Sequence, residues 1–292
     1  MRRSDVVSDD EGVGSHDPGL SHLDDGLDQR GRIRREGRLS WIDPVFLPLV
    51  STTEVELRNL FGKRLHSIYL YGSVPRGTAV QGRSDLDVSV VLHDQPTDTD
   101  RASVGHLATE LDHHTDLVDE VGITLDAARG LLSPAQRHDG AFHITCLCTP
   151  LWGPDLAEQL PEQYPTVDLA RDITSGTAAA FSRLAAALSD PTTSRPDYAC
   201  QRVGRRIARL AFACVLFRWP GWTSEPAALV EVVRAYYPGR AAELDRCIEL
   251  GWGRLRNQPP TAPEDQQDAM GLLTTAAPWW LAEHLGATST GT

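Results

Sequence analysis

An α/β layer followed by an all-α region is the fold class this sequence predicts, and three observations predict it. Strand-like and helix-like stretches alternate from Trp41 to about Pro165. No strand signal follows Pro165. The helical stretches beyond it are separated by connectors bearing proline and glycine, such as "DPTTSRPD", "PGWTS" and "NQPPTAPED". The expected division is a disordered tail over 1–40, an α/β domain over 41–165 and a helical domain over 166–292. With 292 residues, 41% of them apolar, the chain has room and material for two ordinary cores.

The elements follow in order. Residues 1–40 are rich in Asp, Gly, Ser and Arg and lack periodicity, which is the composition of a tail. "STTEVELRNLFGKRL" opens on cap-type residues and carries apolar residues at helical spacing. "SIYLY" is a short apolar run suited to a buried strand, and "SDLDVSVVL" is a second strand. "DTDRASVGHLATELDHH" reads as a helix, "DLVDEVGIT" as a third strand, "LDAARGLL" as a helical segment and "AFHITCLC" as a fourth strand. After Pro165, five stretches suit helices, the longest being "DYACQRVGRRIARLAFACVLFRW".

A formal net charge of −12 disfavours extended nucleic acid as the partner, because phosphate neutralisation by basic residues supplies most of that affinity. The five cysteines, an odd number at irregular spacing, do not form a disulfide framework. Cys146 and Cys148 are expected on one side of the fourth strand as small core residues, without the second pair that a metal site requires. Arg2 and Arg3 are followed by no apolar stretch, and "LAFACVLF" is too short to span a bilayer. A soluble, cytoplasmic protein with no membrane association is expected.

The chemistry concentrates in "YGSVPRGTAVQGRSDLDVSVVL", residues 71–92. Along the strand, Leu86, Val88, Val90 and Leu92 share one face, and Asp85 and Asp87 share the other. Two carboxylates so close repel each other, and a divalent cation relieves the repulsion. Mg²⁺ takes one or two carboxylates plus substrate phosphates. Upstream, a buried strand runs into Gly72, where a missing side chain permits close approach to the backbone, and Ser73 offers a hydroxyl and an N–H at a short helical turn. A phosphate cradle beside an acidic pair suits a nucleoside triphosphate held with Mg²⁺.

These residues resemble the signature of the nucleotidyltransferase superfamily of the DNA polymerase beta type: a Gly-Ser, a spacer, then Ser-Asp-x-Asp on the next strand. "LWGPDLAEQLP" at 151–161 is similar to a segment that precedes the helical domain in aminoglycoside adenylyltransferase-like members. The resemblance implies an α+β nucleotidyltransferase-type domain, a small mixed sheet with flanking helices, before an all-α bundle. It also implies transfer of AMP from ATP to a hydroxyl of a small, aminoglycoside-like acceptor, with two Mg²⁺ ions and antibiotic resistance as the biological setting. Gly72 and Ser73 then bind the triphosphate, Asp85 and Asp87 hold the metal, and Arg83 and Ser84 touch phosphate oxygens. Arg76 either contacts phosphate or pins the turn to a carboxylate. Glu225 and Pro226 stand where some aminoglycoside-modifying members carry a lysine.

A third carboxylate from the neighbouring strand, as metal ligand or base, is also implied. The candidates are Asp116, Asp119 and Glu120; Asp119 shares strand parity with Val121 and Ile123 and is favoured, with Asp116 its rival and Glu120 expected to face away. Arg202, Arg205, Arg206 and Arg209 recur at helical spacing, either reaching the triphosphate, forming a solvated face or pairing with acids. Trp219, Trp222, Trp279 and Trp280 are expected in the core, and His113 and His114 in surface or core roles. The competing class is a regulatory or antitoxin-like module of the same fold that binds or modifies a protein or RNA.

Overall fold

The computed structural model describes residues 19–253 and 263–289, apart from 137, 191 and 194. In chain order the first half runs α1 (Leu47–Phe61), β1 (Leu65–Tyr71), α2 (Ser73–Arg76), β2 (Leu86–Leu92), α3 (Asp98–His113), β3 (Val121–Ala127), α4 (Ala128–Leu131), α5 (Asp139–Phe142) and β4 (Thr149–Trp152). The second half is helical: α6 (Val167–Ile173), α7 (Thr177–Ser189), α8 (Pro196–Ala213), α9 (Pro226–Tyr236), α10 (Ala241–Trp252) and α11 (Pro263–Ser289). Among the described residues no helix is long and apolar enough to cross a membrane.

The sheet is mixed, in the order β3-β2-β1-β4. β1 pairs antiparallel with both β2 and β4, and β2 pairs parallel with β3, so the chain needs the α3 crossover between them. α3 is well nucleated: Thr97 and Asp100 form a reciprocal capping box, and Arg64 clamps Asp100 through two hydrogen bonds of 2.7 and 2.9 Å. One sheet face, built from Ile68, Leu70, Leu86, Val88, Val90 and Val121, packs with Val50, Leu57 and Phe61 of α1 and Val104 and Leu111 of α3. On the other face Tyr69 and Val91 meet Leu131, Ile144, Cys148 and Leu156.

Two expectations are corrected here. "AFHITCLC" is not a strand: it forms α5 and a π-helical turn over His143–Leu147, and the fourth strand is the following Thr149–Trp152. A short apolar run without strict alternation does not distinguish helix from strand. Pro150 is tolerated in β4 because that strand lies at the sheet edge. Cys146 and Cys148 therefore do not share a strand face, although all five cysteines are buried and free.

Residues 19–40, expected within the tail, pack against both halves of the chain, while residues 1–18 lie outside the described residues. Leu20 and Ile33 are buried in the helical core. Backbone hydrogen bonds run from Ile33 N to Gln163 O, Glu36 N to Cys146 O, Arg38 N to Pro75 O and Trp222 N to Asp25 O, all 2.7–2.9 Å. Arg35 pairs with Asp155 at 2.8 Å. The segment is a strap across the two halves.

The helical half is built on α8, which is buried along Val203, Ile207, Ala208 and Ala211. Trp280 is fully buried, Trp219 and Trp222 stack edge-on with Phe212, and Trp279 does so with Trp280 and Tyr237. Glu225 caps α9, its carboxylate accepting from Ala227 N and Ala228 N, with Pro226 in the first turn. α8 and α10 approach closely where Gly204 faces α10: a Cβ there would lie 2.4 Å from Cys247 O and 2.9 Å from Gly251 N. Gly204→Ala must push two backbones apart and is expected to cost about 1–3 kcal/mol. Gly271→Ala, at an exposed position of α11 with nothing within 4 Å, gains helix propensity. Thermal melts should show the first variant falling by several degrees and the second unchanged or higher.

Candidate active site

The end of β1 and the start of β2 meet at the seam between the two halves. Gly72 has φ 81°, a conformation open to glycine, and a Cβ there would sit 2.5 Å from Asp87 Oδ2. The residue is bare to make room for a carboxylate as much as to turn the chain. Ser73 opens the single turn α2, and its carbonyl accepts from Gly77 and Thr78. Gly72–Ser73 and Asp87 are thus locked side by side.

Asp87 lies opposite Tyr71 on β1 and Gly122 on β3. Burial and the neighbouring Asp85 push its carboxyl up to about 7, against the opposing pull of Arg205, Arg209 and Arg76. Asp85 pairs with Arg205 of α8 at 3.2 Å, and Arg205 is itself held by Gly251 O at 2.6 Å. Arg209, one turn further along α8, is hemmed in by protein yet reachable by solvent, as a group in the wall of an open cleft would be. Burial and the nearby Arg205 lower it to about 10, with Asp87 opposing. The pair is therefore surmounted by guanidinium groups from the helical half.

The three candidates for a third carboxylate lie just before β3. Leu86 pairs with Val121 and Asp87 with Gly122, so Gly122 lies on the face of Asp87; the ladder shifts before β3, where Leu86 N binds Glu120 O and Asp119 N binds Ser84 O. A Cβ on Gly122 would lie 3.5 Å from Asp87 Oδ1, which places that face directly. Burial raises the Glu120 carboxyl, and Asp85 adds to the rise while Arg195 opposes it. Asp119 lies just before β3, its N–H bound to Ser84 O at 2.9 Å, and Asp116 is exposed beside the 80–83 loop.

The remaining expected residues have other occupations. Arg76 pins the turn to a carboxylate, donating to Glu36 Oε2 at 3.1 Å and to Ser224 Oγ at 2.8 Å. Glu36 also accepts from Trp222 Nε1 at 2.7 Å and Ser224 Oγ at 2.6 Å, so the strap couples the α2 turn to the helical half. Arg83 donates to the Trp252 carbonyl at the end of α10, and Ser84 Oγ accepts from Val80 N at 2.9 Å. Sequence reasoning missed Glu36. It also missed His143, whose ring meets Tyr71 edge-on at 4.8 Å and is lowered to about 4 by burial. The apolar Leu20, Leu23, Leu27 and Ile33 were the available sign that the strap is packed.

Among the described residues no three metal-ligating side chains form a cluster. What the site offers a cation is two adjacent carboxylates in mutual repulsion, one of them deep and bordered by a bare glycine. That donor set fits a magnesium ion whose remaining ligands are phosphate oxygens and water, and does not fit an all-protein metal cage.

The Gly-Ser bend and the paired aspartates both fall within one nucleotidyltransferase domain. Residues 52–129 match the family model of the nucleotidyltransferase domain, so the chain carries that domain and is an enzyme of that class. Among solved structures, the fold is similar to a spectinomycin adenyltransferase from Enterococcus faecialis crystallised with ATP and spectinomycin. The identity is 14%, over 78% of this chain and 98% of that one, with a TM-score of 0.50; the likeness is one of fold. No curated protein matches the chain by sequence.

The raised Asp87 carboxyl has a definite sign. Between the ordinary carboxylate range and about 7 the folded state holds more protons than the unfolded one, so metal-free stability falls as pH rises through that window. Asp87→Asn removes this penalty. In EDTA at pH 8 the variant is expected to be more stable by about 1–2 kcal/mol, after discounting for the solvent that reaches the group. The two melting curves should converge as pH falls towards 4. A variant less stable than wild type at every pH would contradict the assignment.

Proposed function

We propose that the chain transfers a nucleoside monophosphate, AMP from ATP, to a hydroxyl of a small acceptor and releases pyrophosphate in a magnesium-dependent reaction. The observation that carries this is the placement of Asp85 and Asp87 on one face, against the Gly72–Ser73 bend and beneath Arg205 and Arg209.

In this reading the Gly72–Ser73 backbone and the Ser73 hydroxyl receive the polyphosphate, and Arg205 and Arg209 close over it from α8. Magnesium, held by Asp85 and Asp87, would neutralise phosphate charge. Arg205 now occupies Asp85; binding of the nucleotide is expected to redirect that guanidinium to phosphate, for which its planar donors are suited. The acceptor oxygen forms a bond to the α-phosphorus, the bond from that phosphorus to the bridging oxygen breaks, and pyrophosphate leaves. The acceptor proton passes to Glu120, whose carboxyl is raised towards the range useful to a general base. The chain supplies chiefly positioning and charge compensation, as in other phosphoryl transfers. Arg76, Arg83 and Ser84 act through the fold, holding the α2 turn and the 80–85 loop in place.

The test is label transfer from α-³²P-ATP to a panel of hydroxyl-bearing small molecules, with RNA and purified proteins alongside and pyrophosphate measured in parallel. Glu120→Gln is expected to lower kcat by about 10²–10⁴-fold. Asp119→Asn is expected to retain most of the rate. The reverse ranking would return the base to Asp119, and label appearing only on RNA or protein would replace the small acceptor.

A further inference from the structure

We infer that the acceptor is a small phosphorylated hydroxyl compound, its phosphate seated on the basic stripe of α8, and not a polycationic aminoglycoside. This rests on the nucleotidyltransferase reading above and narrows its substrate.

At 3.6 residues per turn, Arg202, Arg205, Arg206 and Arg209 fall within about 100° of one another around α8. The opposite side of that helix, Val203, Ile207, Ala208 and Ala211, is buried. The stripe faces the sheet domain, because Arg205 binds Asp85 and Arg209 stands beside Asp87. These two, nearest the aspartates, are the ones that the triphosphate engages.

Arg202 and Arg206 remain. Arg202 donates to Tyr198 Oη at 2.7 Å and lies over that ring at 5.2 Å, while Arg195 lies over the same ring at 5.6 Å. Arg206 is half-buried, and the charges acting on it are Arg202 and Arg183. Among the described residues, neither Arg202 nor Arg206 has a carboxylate within ion-pair distance. Acids are not scarce, with 40 Asp and Glu against 28 Lys and Arg. Elsewhere they crowd onto single arginines: Arg246 meets Glu249, Asp265 and Asp268, and Arg64 meets Asp94 and Asp100. Among the described residues, the like charges on this face are thus held together without a carboxylate to relieve them, which is the arrangement that an incoming anion completes.

The location is the acceptor's. Glu120, the proposed base, marks where the reacting hydroxyl must lie, and the cation acting on it is Arg195 at the start of α8. Arg195, Tyr198 and Arg202, at the N-terminal end of α8, therefore lie towards the hydroxyl side, Arg209 lies towards the metal side, and Arg206 stands between Arg202 and Arg209 along the stripe. Guanidinium groups in pairs favour phosphate, which accepts two parallel N–H donors from each. An amine-rich acceptor would meet a wall of its own sign.

The test uses the full chain saturated with Mg²⁺ and α,β-methylene-ATP, titrated calorimetrically with glycerol 3-phosphate, glucose 6-phosphate and spectinomycin. At least one sugar or polyol phosphate is expected to bind, and spectinomycin is not. The double variant Arg202→Gln/Arg206→Gln should weaken the phosphate compound by about tenfold or more. It should leave α,β-methylene-ATP affinity unchanged, with an unaltered melting temperature reporting that it folds. Binding of spectinomycin alone, or of none of the three, overturns the inference. Loss of α,β-methylene-ATP affinity in the double variant overturns it too, by assigning the stripe to the triphosphate. Failure of the wild type to bind α,β-methylene-ATP would instead remove the nucleotidyltransferase reading on which the inference stands.

Discussion

Two carboxylates that repel each other, Asp85 and Asp87, lie where the sheet meets the helical half, and much of the surrounding structure answers that repulsion. A buried charge with a like charge beside it is tolerable only if cations or a metal compensate it. Arg205 and Arg209 approach from α8, and Arg76 from the α2 turn. Gly72 gives up its side chain so that Asp87 can lie against the bend. The compensation is incomplete, since the Asp87 carboxyl still sits near neutrality. In the proposed reading, that partly uncompensated carboxylate pair is what a cation and a polyanion complete together.

The seam itself is held by the strap over residues 19–40. Its Glu36 gathers Arg76 from the sheet domain and Trp222 and Ser224 from the helical half, and its backbone binds Cys146, Pro75 and Gln163. Arg83 adds a second tie, to the carbonyl of Trp252. The geometry of the candidate site is therefore a property of three segments, and the α2 turn is fixed by a residue outside either of its two walls.

What was legible in the sequence was what local periodicity encodes. The parity of Leu86, Val88 and Val90 against Asp85 and Asp87 identified the sheet face, and Gly-Ser before Ser-Asp-x-Asp identified the nucleotidyltransferase domain. The helices of the second half followed from their spacing. The failures were non-local. Which of Asp116, Asp119 and Glu120 completes the site depends on how the chain before β3 meets the start of β2, which no feature of 116–124 contains. Glu36 acts through partners 40, 186 and 188 residues away, while its own neighbours have the composition of a tail. "AFHITCLC" was ambiguous because its apolar residues are needed on several sides of a turn buried between two cores.

The central claim is that Asp85 and Asp87 bind a divalent ion jointly. Electron paramagnetic resonance of Mn²⁺ titrated into the protein with α,β-methylene-ATP tests it most directly. Wild type is expected to take up Mn²⁺ tightly, and Asp85→Asn and Asp87→Asn should each lose that binding although the fold is retained. Undiminished Mn²⁺ uptake in either variant would contradict the claim.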